Sequence, residues 1–154
     1  EVVLMHECLN SLSTFSVIAS FSSIEHDGQG RYGDPLDPDG DLAAMNEAWI
    51  KLTPGGVLLL NVPVGHDDGF YWYSQRIYGP ARLPLLLRGW TYEGLATSTG
   101  ILAPTIPFQL NRVSSGFPVF VLRKPVYATT PWIPHVNPDT LQCSAKGVCN
   151  RKTM

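Results

Sequence analysis

The sequence predicts an α/β fold with a mostly parallel sheet. A continuous apolar segment, FSVIASF (15–21), is followed by a glycine-rich polar segment and then by the apolar spacing of a helix over 41–52. A Thr-Pro-Gly-Gly turn (53–56) leads into a second continuous apolar run, VLLLNV (57–62). Such runs are typical of strands buried on both faces. Strand, helix and strand in this order predict a right-handed βαβ unit.

Composition indicates one domain and excludes several classes of protein. The 154 residues are 44% apolar and 16% charged, which is ordinary for a globular protein with a sizeable core. A net charge of −2 gives the chain no overall electrostatic attraction for nucleic acid or for an anionic membrane. No apolar run approaches the ~20 residues of a bilayer-spanning helix. The three cysteines lack a CxxC spacing, which favours free thiols and a cytoplasmic protein.

The elements follow from local patterns. Residues 2–5 read as a short strand, and 15–21 as a buried one. In the helix, Leu42, Met45 and Trp49 recur at spacings of three and four and therefore share one face. The aspartates at its start, Asp39 and Asp41, are expected to cap free amides and to meet the positive end of the helix dipole.

The second half of the chain is less regular. Residues 70–88 are interrupted by prolines, which predicts short helical pieces. Residues 90–98 and 117–124 are expected to be strands that form an antiparallel pair at the sheet edge. The domain is expected to span 1–125, with 126–154 as a proline-rich irregular tail. Three large aromatic residues are expected in the core: Trp72, Trp90 and Phe120.

Two polar loops leave the carboxyl ends of the predicted parallel strands, where ligands bind in open α/β sheets. His26 is the best candidate for a general base because imidazole titrates near neutral pH, and Glu25 would orient it or recognise a polar substrate. Arg31 and Tyr32 suit a carboxylate, a phosphate or a sugar hydroxyl. If the strands are neighbours, two groups face each other across one crevice: Glu25, His26 and Asp27, and His66, Asp67 and Asp68.

Structural interpretations compete with these assignments. Glu25 and His26 would then only cap the following segment, and Arg31 would pair with a nearby aspartate. Gly28, Gly30 and Gly33 have a GxGxxG spacing, but no helix begins at Gly33, so a turn-rich loop is favoured over a dinucleotide site. The alternating aspartates of 37–41 resemble a calcium loop, although helix capping explains them better. No metal site is expected.

Longer motifs carry a family resemblance. EHDGQGRYGDP (25–35), PGG (54–56), VPVG (62–65) and RIYGPARLPLL (76–86) resemble the Caenorhabditis-type family of proteins of unknown function, which is regarded as methyltransferase-like. The strand–helix–turn–strand pattern resembles the C-terminal half of a class I S-adenosylmethionine-dependent methyltransferase. The implied fold is a partial Rossmann-like sheet, mostly parallel with a late antiparallel pair, lacking the N-terminal glycine-rich unit.

This resemblance implies methyl transfer from S-adenosylmethionine to a small or sugar-like acceptor. The implied catalytic residues are His26 and Glu25. The implied cofactor contacts are Glu7, Cys8, Ser20, Phe21 and Ser22. The implied acceptor contacts are Asp27, Arg31, Tyr32, His66, Asp67 and Arg76. For Arg76 the alternative is a brace that packs against the glycine-rich loop.

Two departures from the family pattern bear on whether this chain is expected to be active. The cofactor's glycine-rich loop would fall before Glu1, and Tyr73-Ser74-Gln75 stands where the family carries an asparagine and a histidine. We therefore expect either a fragment that is inactive alone or a degenerate copy. The alternatives are a non-catalytic scaffold domain and a sugar-modifying enzyme with another nucleotide-linked ligand. A truncated sheet also predicts self-association through its exposed edge.

Overall fold

A computed structural model describes residues 14–72, 74–98, 100–102, 116–127, 141–143 and 149–151. The expectations for residues 2–5, Glu7 and Cys8 lie outside this part of the chain. Within these residues, two α-helices and one 3-10 helix accompany the strands. The helices are α1 (Gly40–Lys51) and α2 (Arg82–Leu86), and the 3-10 helix is Ile24–His26. The strands are β1 (Phe15–Phe21), β2 (Leu52–Asn61), β3 (Gly69–Tyr71), β4 (Gln75–Ile77), β5 (Thr91–Thr97), β6 (Gly100–Leu102), β7 (Val119–Arg123), β8 (Leu141–Cys143) and β9 (Cys149–Arg151).

The predicted βαβ unit is confirmed. Strands β1 and β2 are parallel neighbours, with Ile18 opposite Leu58 and Ser20 opposite Leu60. The connection between them contains α1, whose bounds lie close to the predicted 41–52. The predicted turn at 53–56 is instead part of β2, which begins at Leu52 directly after the helix. Asp39 does occupy the N-cap position, but its side chain makes no capping hydrogen bond there. The expected capping role of that carboxylate is therefore wrong.

The prediction of a mostly parallel, Rossmann-like sheet is wrong. Among the described strands, the main sheet has the order β1-β2-β7-β5-β6, and β1–β2 is the one parallel pair in it. Parallel neighbours need a long crossover connection, whereas antiparallel neighbours need only a turn. Among the described helices, only α1 supplies such a crossover between adjacent strands. After β2 the described strands of the main sheet pair in antiparallel fashion. The apolar pattern of residues 15–62 predicts only the elements within that segment, so it could not predict how later strands pair.

Two further elements differ from expectation. Residues 70–88 were expected to be helical pieces, but their first part is the β3–β4 hairpin, and only α2 is an α-helix. The predicted antiparallel pairing of 90–98 with 117–124 is confirmed, since β5 and β7 are neighbours. Its predicted place at the sheet edge is wrong, because β7 lies between β2 and β5, and β6 follows β5. Strands β8 and β9 form a separate antiparallel pair.

The core lies between one face of the main sheet and the two helices. Leu58 and Leu60 on β2 are fully buried, and Phe120 on β7 is buried as predicted. Trp90 packs partly buried against this cluster, but Trp72 is 65% exposed, so its assignment to the core is wrong. The helices contribute Met45, Ala48, Leu83 and Leu86. Within the described residues, no helix is long and apolar enough to cross a membrane.

Candidate functional site

The glycine-rich loop after β1 is folded around one buried side chain, Arg76. Only 5% of Arg76 is exposed. Its guanidinium lies beside the carboxylate of Asp41, with Nε 3.8 Å from Oδ1. It also donates hydrogen bonds to four backbone carbonyls of the loop, those of Glu25, Asp27, Asp37 and Pro38. These contacts occupy the guanidinium, so the geometry favours the brace over the predicted substrate contact.

A second buried acid fixes the position of this brace. Asp41 is fully buried at the start of α1 and accepts a hydrogen bond from the hydroxyl of Tyr78 at 3.1 Å. Arg82 of α2 also binds the Asp41 carboxylate. Burial, together with the charge of Asp41, raises the pKa of Tyr78 well above its ordinary range. Asp41 therefore ties α1, the hairpin strand β4 and α2 together.

Glu25 and His26 form a coupled pair directly beyond the end of β1. Ser22 is the only described residue other than glycine with a positive φ, 45°. Its hydroxyl donates a 2.6 Å hydrogen bond to Oε1 of Glu25, and Nε2 of His26 lies 3.6 Å from the same oxygen. Glu25 is fully buried, and its second oxygen, Oε2, has no hydrogen-bond partner. An incompletely satisfied buried carboxylate is costly, which makes this pair a candidate functional group.

The hairpin holds the other side of the His26 ring. Nδ1 of His26 contacts the backbone carbonyl of Ser74. A carbonyl oxygen only accepts, so this contact assigns the proton of the neutral ring to Nδ1 and leaves Nε2 as the basic nitrogen. Arg31 donates to the same carbonyl at 3.3 Å, and the Tyr32 ring meets the His26 ring edge-on at 5.8 Å. The structure therefore brings together the predicted residues Glu25, His26, Arg31 and Tyr32.

Asp27 adds a titratable group to the loop. Burial, followed by the nearby carboxylate of Asp34, raises the pKa of Asp27 from 3.8 to about 7. The positive charge of Arg76 lowers the pKa of Asp27, but by less than burial and Asp34 raise it. Within the described part of the chain, no three His, Cys, Asp or Glu side chains are grouped to hold a metal ion.

The structure separates the second predicted loop from this cluster. His66, Asp67 and Asp68 are exposed between β2 and β3. The carboxylate of Asp68 accepts hydrogen bonds from three backbone amides at the start of α2, those of Gly79, Ala81 and Arg82. No hydrogen bond or ion pair described for His66 or Asp67 joins them to Glu25 or His26. Although β1 and β2 are neighbours, the crevice expected between these two groups is not formed by direct contacts.

The predicted cofactor contacts occupy the end of β1. Ser20 is buried, and its hydroxyl has no hydrogen-bond partner. Phe21 is 58% exposed, and the backbone amide of Ser22 donates to the carbonyl of Asn61 on β2. These residues therefore offer an unsatisfied hydroxyl and an open aromatic face at the carboxyl end of the parallel pair.

Sequence reasoning missed the part that the hairpin plays. The carbonyl of Ser74 orients His26, but a backbone group leaves no residue-type signal in the sequence. The buried side chain of Gln29, which donates to the carbonyl of Glu25 at 2.6 Å, was also missed. The aromatic run FYWY (70–73) was a visible signal, but we assigned it to helical pieces.

Comparison with known proteins supports the motif resemblance at the level of the family. No curated protein and no solved structure matches the chain. The family described as "Caenorhabditis protein of unknown function, DUF268" matches residues 2–116. This match includes the glycine-rich loop, the Glu25–His26 pair and Arg76. Because it covers most of the 154 residues, the chain belongs to this family.

Proposed function

We propose that the carboxyl end of the β1–β2 pair is a methyl-transfer site, in which His26 accepts a proton from a hydroxyl of a small polar acceptor. The observation that carries the proposal is the Glu25–His26 pair. One ring nitrogen of His26 contacts the Ser74 carbonyl, and the other lies 3.6 Å from a buried carboxylate. The carbonyl would orient the ring, and the carboxylate beside Nε2 would stabilise the imidazolium that forms when this nitrogen takes a proton.

The proton step follows from this geometry. When the acceptor oxygen attacks, its proton passes to Nε2 of His26, while Nδ1 keeps its hydrogen bond to Ser74. The ring then carries a positive charge beside Oε1 of Glu25, and the Ser22 hydroxyl holds that oxygen in place. Glu25 is fully buried and acts through His26, so it is a positioning residue.

The end of β1 fits the edge of a nucleoside cofactor. Ser20 has a buried hydroxyl without a partner, and Phe21 presents an exposed ring. These are the described residues that would contact S-adenosylmethionine. That cofactor would supply an electrophilic methyl group, whose bond to sulfur would break as the bond to the acceptor oxygen forms, and it would leave as the thioether S-adenosylhomocysteine.

A non-catalytic scaffold domain is the second candidate. It is favoured by the complete burial of Glu25 and by the use of Arg76 on backbone carbonyls. In that case the Glu25–His26 pair only fastens the loop to the hairpin.

Calorimetric titration with S-adenosylhomocysteine separates the two candidates. It uses this chain and, if the natural protein extends before Glu1, the longer form as well. We expect saturable binding that Phe21→Ala weakens and that Val17→Ala, an equally exposed position on β1, leaves unchanged. Absence of binding by every folded form contradicts the methyltransferase proposal and favours the scaffold.

Activity gives a second test once an acceptor is in hand. His26→Ala should lower kcat by about 10²–10⁴-fold, which is the usual contribution of a general base. Ser23→Ala, at an exposed neighbouring position without a side-chain cap, is the matched control. An unchanged rate in His26→Ala removes His26 from the proton step.

A further inference from the structure

Three aromatic side chains of the glycine-rich loop and the β3–β4 hairpin are open to solvent. Tyr32 is 72% exposed, Phe70 is 53% exposed and Trp72 is 65% exposed. Large aromatic groups usually bury much of their surface, and exposed clusters of them mark binding sites. None of the three is needed to fill the core described above.

The three rings lie on two segments, the loop and the hairpin, which are in contact through the Ser74 carbonyl. Phe70 lies directly opposite Arg76 in the β3–β4 pair, and its ring is 6.0 Å from that of Trp72. At the hairpin tip, the Ser74 carbonyl contacts His26 and Arg31. Tyr32 meets the His26 ring from the loop side at 5.8 Å. The candidate base therefore contacts Tyr32 on the loop side and, through Ser74, the tip of the hairpin that carries Phe70 and Trp72.

The charges around these rings restrict what they bind. The Arg31 guanidinium lies 5.4 Å from the centre of the Tyr32 ring, and that of Arg76 lies 6.0 Å from the centre of Phe70. Because both rings already face a cation of the protein, a cationic ligand is disfavoured. The chain's net charge of −2 also disfavours nucleic acid.

The polar groups at the same place add a second requirement. Arg31 and His26 are hydrogen-bonding side chains beside the rings. A ligand that uses both features has an apolar face for stacking and a rim of hydroxyl groups. A pyranose sugar has this shape, because its axial hydrogens form an apolar face and its hydroxyls form the rim.

We propose that Tyr32, Phe70 and Trp72 form a platform that stacks a pyranose ring and presents one of its hydroxyls to His26. This inference rests on the proposed function in taking the sugar as the methyl acceptor. The stacking itself does not require a cofactor, so sugar binding and cofactor binding are separate observables.

Saturation-transfer NMR tests the platform with three simple probes: the methyl pyranosides of glucose, galactose and mannose. We expect saturation to reach the ring C–H protons of at least one probe. Trp72→Ala should raise the Kd about 5- to 150-fold if the contact is worth as much as a nucleobase stacked on an aromatic side chain. Phe70→Ala is the second variant, so that a folding defect in one of them does not decide the result. Tyr127→Ala is the matched control, because Tyr127 is 94% exposed and follows β7.

Two results overturn the platform: no saturation transfer to any of the three pyranosides, or equal losses in the platform variants and the control. Calorimetry with S-adenosylhomocysteine, run in parallel, distinguishes this failure from that of the proposed function. Cofactor binding without sugar binding removes the platform alone. Sugar binding without cofactor binding keeps the platform as a sugar site and removes the methyl donor.

Discussion

Arg76 is the side chain on which the loop between β1 and α1 depends. Its guanidinium has five N–H donors in a planar fork, which allows it to bind several loop carbonyls and to lie beside Asp41. Lysine could not reproduce this pattern, because its ammonium group is a single point of charge. Arg76, which the family motif suggested as a substrate contact, is therefore explained by its structural role in holding the loop.

Replacement of Arg76 should be strongly destabilising. Arg76→Met would leave the buried Asp41 carboxylate without one of its cations and would remove the donors of the loop carbonyls. We expect a loss of about 3–5 kcal/mol in the free energy of unfolding, measured by urea denaturation. Arg31→Met is the control, since Arg31 makes one exposed hydrogen bond, and it should change stability by less than about 1 kcal/mol. Equal losses in the two variants contradict the brace.

Asp27 should make stability depend on pH. Its pKa is raised from 3.8 to about 7 by burial and by Asp34, so the folded state holds this proton more tightly than the unfolded state does. The resulting stabilisation is complete below about pH 4 and is lost as the pH rises through about 7.

Asp27→Asn removes this titration. Urea denaturation between pH 4 and pH 8 should show that the wild type loses more stability with rising pH than the variant, with the difference developing between about pH 4 and 7. Parallel curves for the two proteins would mean that Asp27 ionises normally.

At the scale of elements, the loop has its shape because two segments approach closely at Gly28. Gly28 has a φ of 75°, and a Cβ there would lie 2.0 Å from the carbonyl oxygen of Asp37. Gly33 has a similar φ of 85°, but a Cβ there would meet no atom within 4 Å. The two glycines therefore separate the effect of contact from the effect of backbone conformation.

Gly28→Ala should destabilise the protein more than Gly33→Ala does. The second change carries only the left-handed backbone penalty of about 1–2 kcal/mol, whereas the first adds a clash with backbone atoms. Thermal unfolding of both variants measures the difference. If both lose the same stability, the close approach of Gly28 to Asp37 is incorrect.

The sequence predicted elements whose signal is local and repeated. Helix α1 has apolar residues on one face over three turns, and β1 and β2 are long apolar runs, so the three elements were predicted. The predicted burial of β1 is wrong, because it lies at the edge of the main sheet with Val17 and Phe21 exposed. Strands β3 and β4 have three residues each, which is too short for any periodicity. The position of β7 between β2 and β5 depends on pairing between distant segments, and no local pattern reports that.

At the scale of the whole molecule, the sheet combines one parallel pair with antiparallel neighbours, and the candidate site lies where the parallel pair ends. The sequence predicted the site's position because Glu25 and His26 directly follow a strand. It did not predict that the β3–β4 hairpin would supply the other side of the site in place of His66 and Asp67. Self-association through the sheet edge stays a prediction.

In the proposed proton transfer, His26 presents Nε2 as the base while the Ser74 carbonyl holds Nδ1. Long-range ¹H–¹⁵N NMR of the histidine rings at alkaline pH, where imidazole is neutral, measures this directly. The exposed His66 serves as an internal reference, and His26→Gln assigns the signals. We predict that the neutral ring of His26 carries its proton on Nδ1. A ring protonated on Nε2 would turn the basic nitrogen toward the Ser74 carbonyl and contradict the proposed proton transfer.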